Sequence, residues 1–140
     1  MDRIGAVMKT LRAIWASVFV VIAGYVFFLL WLHPAVSAHP DKTIALALGV
    51  FALTEIPALL FFKQSLVGRS AAKLREDSSD TRTLMKFRNG YIICFCMCFA
   101  ISVYGLIVGV LGDPITWAAP FFVVAFALLL ATRPVPPAES

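Results

Sequence analysis

The sequence predicts an all-α integral membrane protein, a four-helix bundle with its N-terminus and C-terminus in the cytoplasm. Three observations carry that expectation. Of 140 residues, 61% are hydrophobic and 14% are charged, and mean hydropathy is +0.89, which leaves too little polar surface to clothe a water-soluble domain. Four apolar stretches, 13–32, 43–62, 90–111 and 115–132, hold 20, 20, 22 and 18 residues. Eleven of the twelve Lys and Arg residues fall on one side of those stretches. A soluble multidomain enzyme, a disordered chain and a disulfide-stapled secreted mini-protein are thereby excluded.

Each stretch can cross a hydrocarbon core of about 30 Å at about 1.5 Å per helical residue. In lipid, backbone polar groups must find partners within the chain, so uninterrupted apolar runs fold as helices. The spacing is unlike the short alternating segments of a barrel. Before the first span lie Arg3, Lys9 and Arg12; after the fourth lies Arg133. Between spans two and three lie Lys63, Arg69, Lys73, Arg75, Arg82, Lys86 and Arg88, and only Lys42 falls on the other side. Retention of basic residues in the cytoplasm puts 33–42 and 112–114 outside. The tetrapeptide Ala35-Val36-Ser37-Ala38 resembles a signal-peptidase site, but the run before it is longer than a signal peptide's apolar core, and the stretch is read as a retained span.

The middle segment, 63–89, carries seven basic and three acidic residues, Glu76, Asp77 and Asp80, hence net +4. It is expected to prolong both flanking helices, with Ser78-Ser79 breaking the run and Asp80 capping the helix that becomes span three. Its charges orient the chain, and docking to anionic headgroups or an acidic partner is the functional alternative. The tail Arg133-Pro134-Val135-Pro136-Pro137 cannot continue a helix and is expected to be extended and frayed. Tyr25 lies nine residues before Pro34 and Tyr104 ten before Pro114, a faint two-plus-two repeat.

Glu55 is the only Asp, Glu, Lys, Arg or His in any span and lies about 4 Å from the middle of span two. Insertion of an acidic side chain at such depth costs roughly 2.5–3.5 kcal/mol, so Glu55 is expected to face other helices and to spend much of its time protonated. It could exchange a proton or cation, or rest as a neutral acid bonded to a carbonyl. Pro57 leaves the carbonyl of Leu53 without its helical partner, and that carbonyl and the Thr54 hydroxyl could help hold a proton or ion. The alternative is a packing kink.

Span three carries a small-residue stripe, Cys94, Cys98, Ser102, Gly105, Gly109 and Gly112, at intervals of four, four, three, four and three. It reads as a helix-packing seam within the bundle or between subunits, with Gly105 and Gly109 as its GxxxG pair. Cys94, Cys96, Cys98 and Met97 are soft ligand types, but Cys96 points away from its neighbours on a helix; packing is the expected role, without metal or disulfide. His33, His39, Asp41 and Asp113 share the outer side and read as solvated turn residues. Trp15, Trp31 and Trp117 near span ends fit interfacial anchoring.

The run Phe99-Ala100-Ile101-Ser102-Val103-Tyr104-Gly105-Leu106-Ile107-Val108 resembles the second helix of the c-type proteolipid subunit of rotary ATPases. The wider chain, with Gly112-Asp113-Pro114 and Pro120-Phe121-Phe122, resembles uncharacterised small four-helix bacterial membrane proteins carrying that segment. This resemblance implies a bacterial inner membrane. In the rotary family an ion-binding carboxylate stands five residues before the Tyr, where this chain has Phe99; Glu55 could replace it from across the hairpin. Span two, with only Gly49, lacks the family's repeated glycines. The segment from Glu55-Ile56-Pro57 to Lys63-Gln64-Ser65 is similar to the glutamate helix of small multidrug transporters, although that helix comes first there and second here.

The expectation is a single membrane domain over 1–140 that is not an enzyme, since no nucleophile and base, phosphate loop or dinucleotide fingerprint is present. Neither a cofactor nor nucleic acid is expected; the partners are the lipid bilayer and a second copy or larger membrane complex. The favoured role is an accessory or assembly subunit whose span-three stripe packs on a partner. The alternative is a homo-oligomeric proton- or cation-coupled carrier using Glu55.

Overall fold

The computed structural model describes residues 3–32, 42–77, 79–111 and 115–137. His33, Pro34, His39, Pro40, Asp41, Gly112, Asp113 and Pro114 lie outside them. The helices are α1 (Arg3–Leu32), α2 (Lys42–Phe62), α3 (Arg69–Glu76), α4 (Thr81–Val110) and α5 (Ile115–Ala131), with a π-helical segment, Lys63–Gly68, joining α2 to α3 without a break. The fold is an all-α bundle. Three helices, α1, the continuous Lys42–Glu76 helix and α4, are long and apolar enough to cross a membrane. The chain is a membrane protein. The fourth apolar helix, α5, has 17 residues and is about 25 Å long.

The expected spans match these helices, 90–111 and 115–132 each running one residue past the helix end, but α1 and α4 each run to 30 residues because they continue into the basic end of the molecule. The 63–89 segment is correspondingly almost all helix, an antiparallel hairpin that turns within 77–80. Two aspartates make that turn. Asp77 Oδ1 accepts from the backbone N–H and the hydroxyl of Ser79 at 3.0 and 2.6 Å. Asp80 is the N-cap of α4, accepting from the Thr83 backbone N–H at 3.3 Å and from the Thr83 hydroxyl.

Helix α4 is the centre of the bundle, because it packs against every other helical segment, while among the described residues no Cα atoms of α1 and α2 come within 8 Å. Of its apolar window 44% is buried, against 11% for α1 and for α2. Small residues allow this. A Cβ on Gly105 would stand 2.9 Å from Phe121 Cβ of α5, and one on Gly109 would stand 2.7 Å from a Leu29 methyl of α1. Cys94, Cys98 and Ser102 are fully buried on the same side, so the stripe from Cys94 to Gly109 is occupied by the chain's own helices. Of the two placements expected for that seam, within the bundle or between subunits, these residues take the first. Nearer the basic end, a Cβ on Gly90 would lie 2.9 Å from Leu66 Cβ and from a Val67 methyl, so the π-helical segment rests directly on α4.

The C-terminal segment is not frayed. Thr132, Pro134 and Pro137 are buried, and the Val135 N–H donates to the Tyr91 hydroxyl at 3.2 Å. Tyr91 is the middle ring of a ladder on α4, 5.1 Å from Phe87 and 6.0 Å from Phe95 between centroids. Chain continuation over a fully buried aromatic row hides apolar area, which outweighs the loss of helix at the prolines. Trp15 is an interhelical tie, its indole N–H donating to the Leu129 carbonyl at 2.8 Å. Trp117 lies under Lys42, whose ammonium is 5.4 Å from the ring centroid, so a cation–π contact joins the starts of α2 and α5.

Candidate functional site

Glu55 faces α4. Its Oε1 accepts the Tyr104 hydroxyl at 2.5 Å, and this is the bond that links the polar side chains of α2 and α4 at membrane depth. Its Oε2 is buried and has no hydrogen-bond partner; among the described residues the only other such side-chain atom is Arg88 Nε. A carboxyl that is held at one oxygen and unpartnered at the other is costly in a low-dielectric interior unless a proton or another charge-compensating group joins it.

The meeting of Glu55 and Tyr104 follows from helix geometry. Cys94 lies against the Leu59 carbonyl, with Sγ 4.0 Å away. From that level Glu55 is four residues back along α2, and Tyr104 ten forward along α4, so their Cα atoms differ in height by about 9 Å. Side chains on a helix lean toward its N-terminus. On antiparallel helices that lean carries the Glu55 carboxyl and the Tyr104 ring toward each other, and two long side chains close the gap. On the far side of α4 the ring of Phe99 lies 5.9 Å from Tyr25 of α1. The position where the proteolipid pattern has its carboxylate is thus turned to α1, away from Glu55.

Thr54 and Pro57 do not join the site. Thr54 is outward-facing, and its hydroxyl donates to the Phe51 carbonyl one turn back at 2.7 Å. Pro57 lies inside α2 and also faces outward. Between α2, α4 and α5 lies a cleft of about 190 Å³ walled by Gly49, Ala52, Ile56, Ile101, Phe121 and Val124, all apolar, and Glu55 does not line it. Cys94 and Cys98 are buried and Cys96 is exposed, and no group of three His, Cys, Asp or Glu among the described residues is arranged to hold a metal ion. Gly112 lies outside the described residues.

Tyr104 is the residue that sequence reasoning missed as a partner. It marked a repeat and a resemblance, but nothing in either paired it with Glu55. The available signal was the N-terminal lean of side chains on two antiparallel helices, applied to the only carboxyl within a span and the nearest phenol. No family model matches the chain, and neither does a curated protein or a solved structure.

Proposed function

We propose that this protein is a small non-enzymatic membrane protein that binds and releases a proton at Glu55 with Tyr104 beside it, and that it works as a homo-oligomeric proton-coupled carrier. The observation that carries this reading is the buried, unpartnered Oε2 of a carboxyl whose Oε1 is held by the Tyr104 hydroxyl. One carboxyl and one phenol offer too few oxygens for a hard metal cation, which takes six or more. A proton needs one. The phenol donates to the carboxylate form and can accept from the acid form, so one contact serves both states. Intramembrane carboxyls are commonly sites of this kind.

The orientation that goes with this reading puts both termini and the basic hairpin in the cytoplasm of a bacterial inner membrane, with α5 as the fourth span. The test is proton flux into proteoliposomes under an imposed potential, followed with an internal pH dye. Wild-type protein is expected to carry protons, Glu55→Gln to carry none while retaining its oligomeric mass, and Tyr104→Phe to carry them more slowly. Equal flux through Glu55→Gln overturns the reading.

A second reading, an accessory or assembly subunit, draws on the separation of α1 from α2. Between them the α4 face bearing Ile93, Ile107 and Val110 is exposed, a width that a further helix could cover. The mass of the complex gently extracted from native membranes separates the two readings, since stoichiometric foreign subunits favour the accessory role and a homo-oligomer favours the carrier.

A further inference from the structure

The basic end of the molecule holds a cavity of about 390 Å³ walled by Ser65 and Leu66 of the π-helical segment, Arg69, Ser70 and Lys73 of α3, and Thr83 and Lys86 of α4. Three cations and three hydroxyls from two antiparallel helices converge on one space. Thr83 is already committed, its hydroxyl bonded to Asp80, and Lys73 acts electrostatically on the same Asp80. Counting that one carboxylate, the cavity retains a net charge of +2. Arg69, Lys73 and Lys86 are exposed while Ser70 is buried, so the charged heads surround a hydroxyl-bearing floor.

Its level relative to the bilayer says what would fill it. Helix α2 has 21 residues, about one hydrocarbon thickness, and ends at Phe62. Ser65 and Lys73 then stand roughly 5 and 16 Å beyond that end, which spans the headgroup layer and the water just past it. The π-helical turns contribute to the shape, because a wider turn shifts the faces of α3 relative to α2, and such insertions are frequent at functional sites. Gly90 lets that widened segment lie flat on α4. A basic, hydroxyl-lined pocket between helices at headgroup level is suited to a phosphate oxyanion that accepts several donors at once.

We propose that this cavity binds the phosphate group of an anionic lipid headgroup, with Arg69, Lys73 and Lys86 neutralising it and Ser65 and Ser70 donating to its oxygens. The site is independent of the Glu55 reading and lies at the far end of α2 from its start. A resident lipid there would fix the depth of the α3 and α4 hairpin at the membrane surface.

The test is lipid retention by the full chain in neutral detergent, measured by native mass spectrometry with added phosphatidylglycerol or phosphatidylcholine of matched acyl chains. Wild-type protein is expected to retain phosphatidylglycerol preferentially. Each of Arg69→Gln, Lys73→Gln and Lys86→Gln is expected to weaken retention about fivefold, and the triple variant about a hundredfold. Ser65→Ala with Ser70→Ala, which leaves the charge unchanged, is expected to weaken it about tenfold. A control triple, Lys9→Gln, Arg12→Gln and Arg133→Gln, removes equal charge elsewhere and is expected to leave retention within twofold. An equal loss in that control, or no preference for phosphatidylglycerol in wild-type protein, overturns the proposal. Wild-type protein that binds soluble glycerol 3-phosphate as tightly as the lipid also overturns it, by assigning the cavity to a free phosphate compound.

Discussion

At the scale of single residues, close packing along α4 makes the three buried glycines unequal. A Cβ at Gly105 meets another Cβ of α5, and one at Gly90 meets Leu66 Cβ, whereas one at Gly109 meets the flexible end of Leu29. Methyl ends can rotate away and Cβ atoms cannot without moving a helix. Gly105→Ala and Gly90→Ala are therefore expected to lower stability by about 1–3 kcal/mol, with Gly109→Ala near the bottom of that range or below it. Unfolding in mixed detergent micelles, followed by helical circular dichroism, measures the order; equal losses at all three positions contradict the packing described. Glu55 was legible from sequence as the lone charge in a span, and the stripe was legible from its spacing. Their surroundings were not. The partner of Glu55 depends on a nine-ångström offset bridged by side-chain lean, and the occupant of the stripe depends on which helices turn toward it, neither of which is written in one helix's own pattern.

At the scale of elements, the hairpin turn is held by a carboxylate. The Thr83 hydroxyl, then the Thr83 backbone N–H, keep the Asp80 carboxyl below the usual carboxylate range. A native value below the unfolded one means that the cap contributes fully above the ordinary carboxylate range and is lost as pH falls through the lowered native value. The protection factor of the Thr83 amide, its exchange compared with the intrinsic rate at the same pH, is accordingly expected to fall in acid, and that of the same amide in Asp80→Asn to show no such pH dependence. A pH-independent opening in wild-type protein removes Asp80 from the cap. The C-terminal segment yields a second prediction. Deletion of residues 133–140 takes away the Val135 bond to Tyr91, about 1 kcal/mol, together with the burial of Pro134 and Pro137. Increased exchange along Phe87 to Phe95 is expected, and unchanged protection there shows that the tail covers nothing. Sequence misjudged this tail because prolines forbid helix but say nothing about packing, whereas the helical prolongation of 63–89 and the Asp80 cap were legible in its own residues. The π-helical segment left no trace in composition.

At the scale of the whole molecule, an apolar chain is organised around one small-residue helix, with basic residues crowded at one end and a single carboxyl buried near the middle. Fold class followed from composition and run length alone, because lipid permits few alternatives to helices. Two features of the interior set what the molecule can do: the helices α1 and α2 stand apart on α4, and the polar contact between α2 and α4 is incomplete. Under the proposed function, Glu55 is a proton-binding group completed by Tyr104. That role is tested most directly by the infrared carbonyl stretch of a protonated carboxyl in the protein reconstituted into lipid, recorded across pH. A titrating band is expected that is absent in Glu55→Gln and shifted in frequency in Tyr104→Phe, where the phenolic donor is gone. A band unchanged by either substitution, or a Glu55 that shows no titration between acid and alkaline conditions, contradicts it.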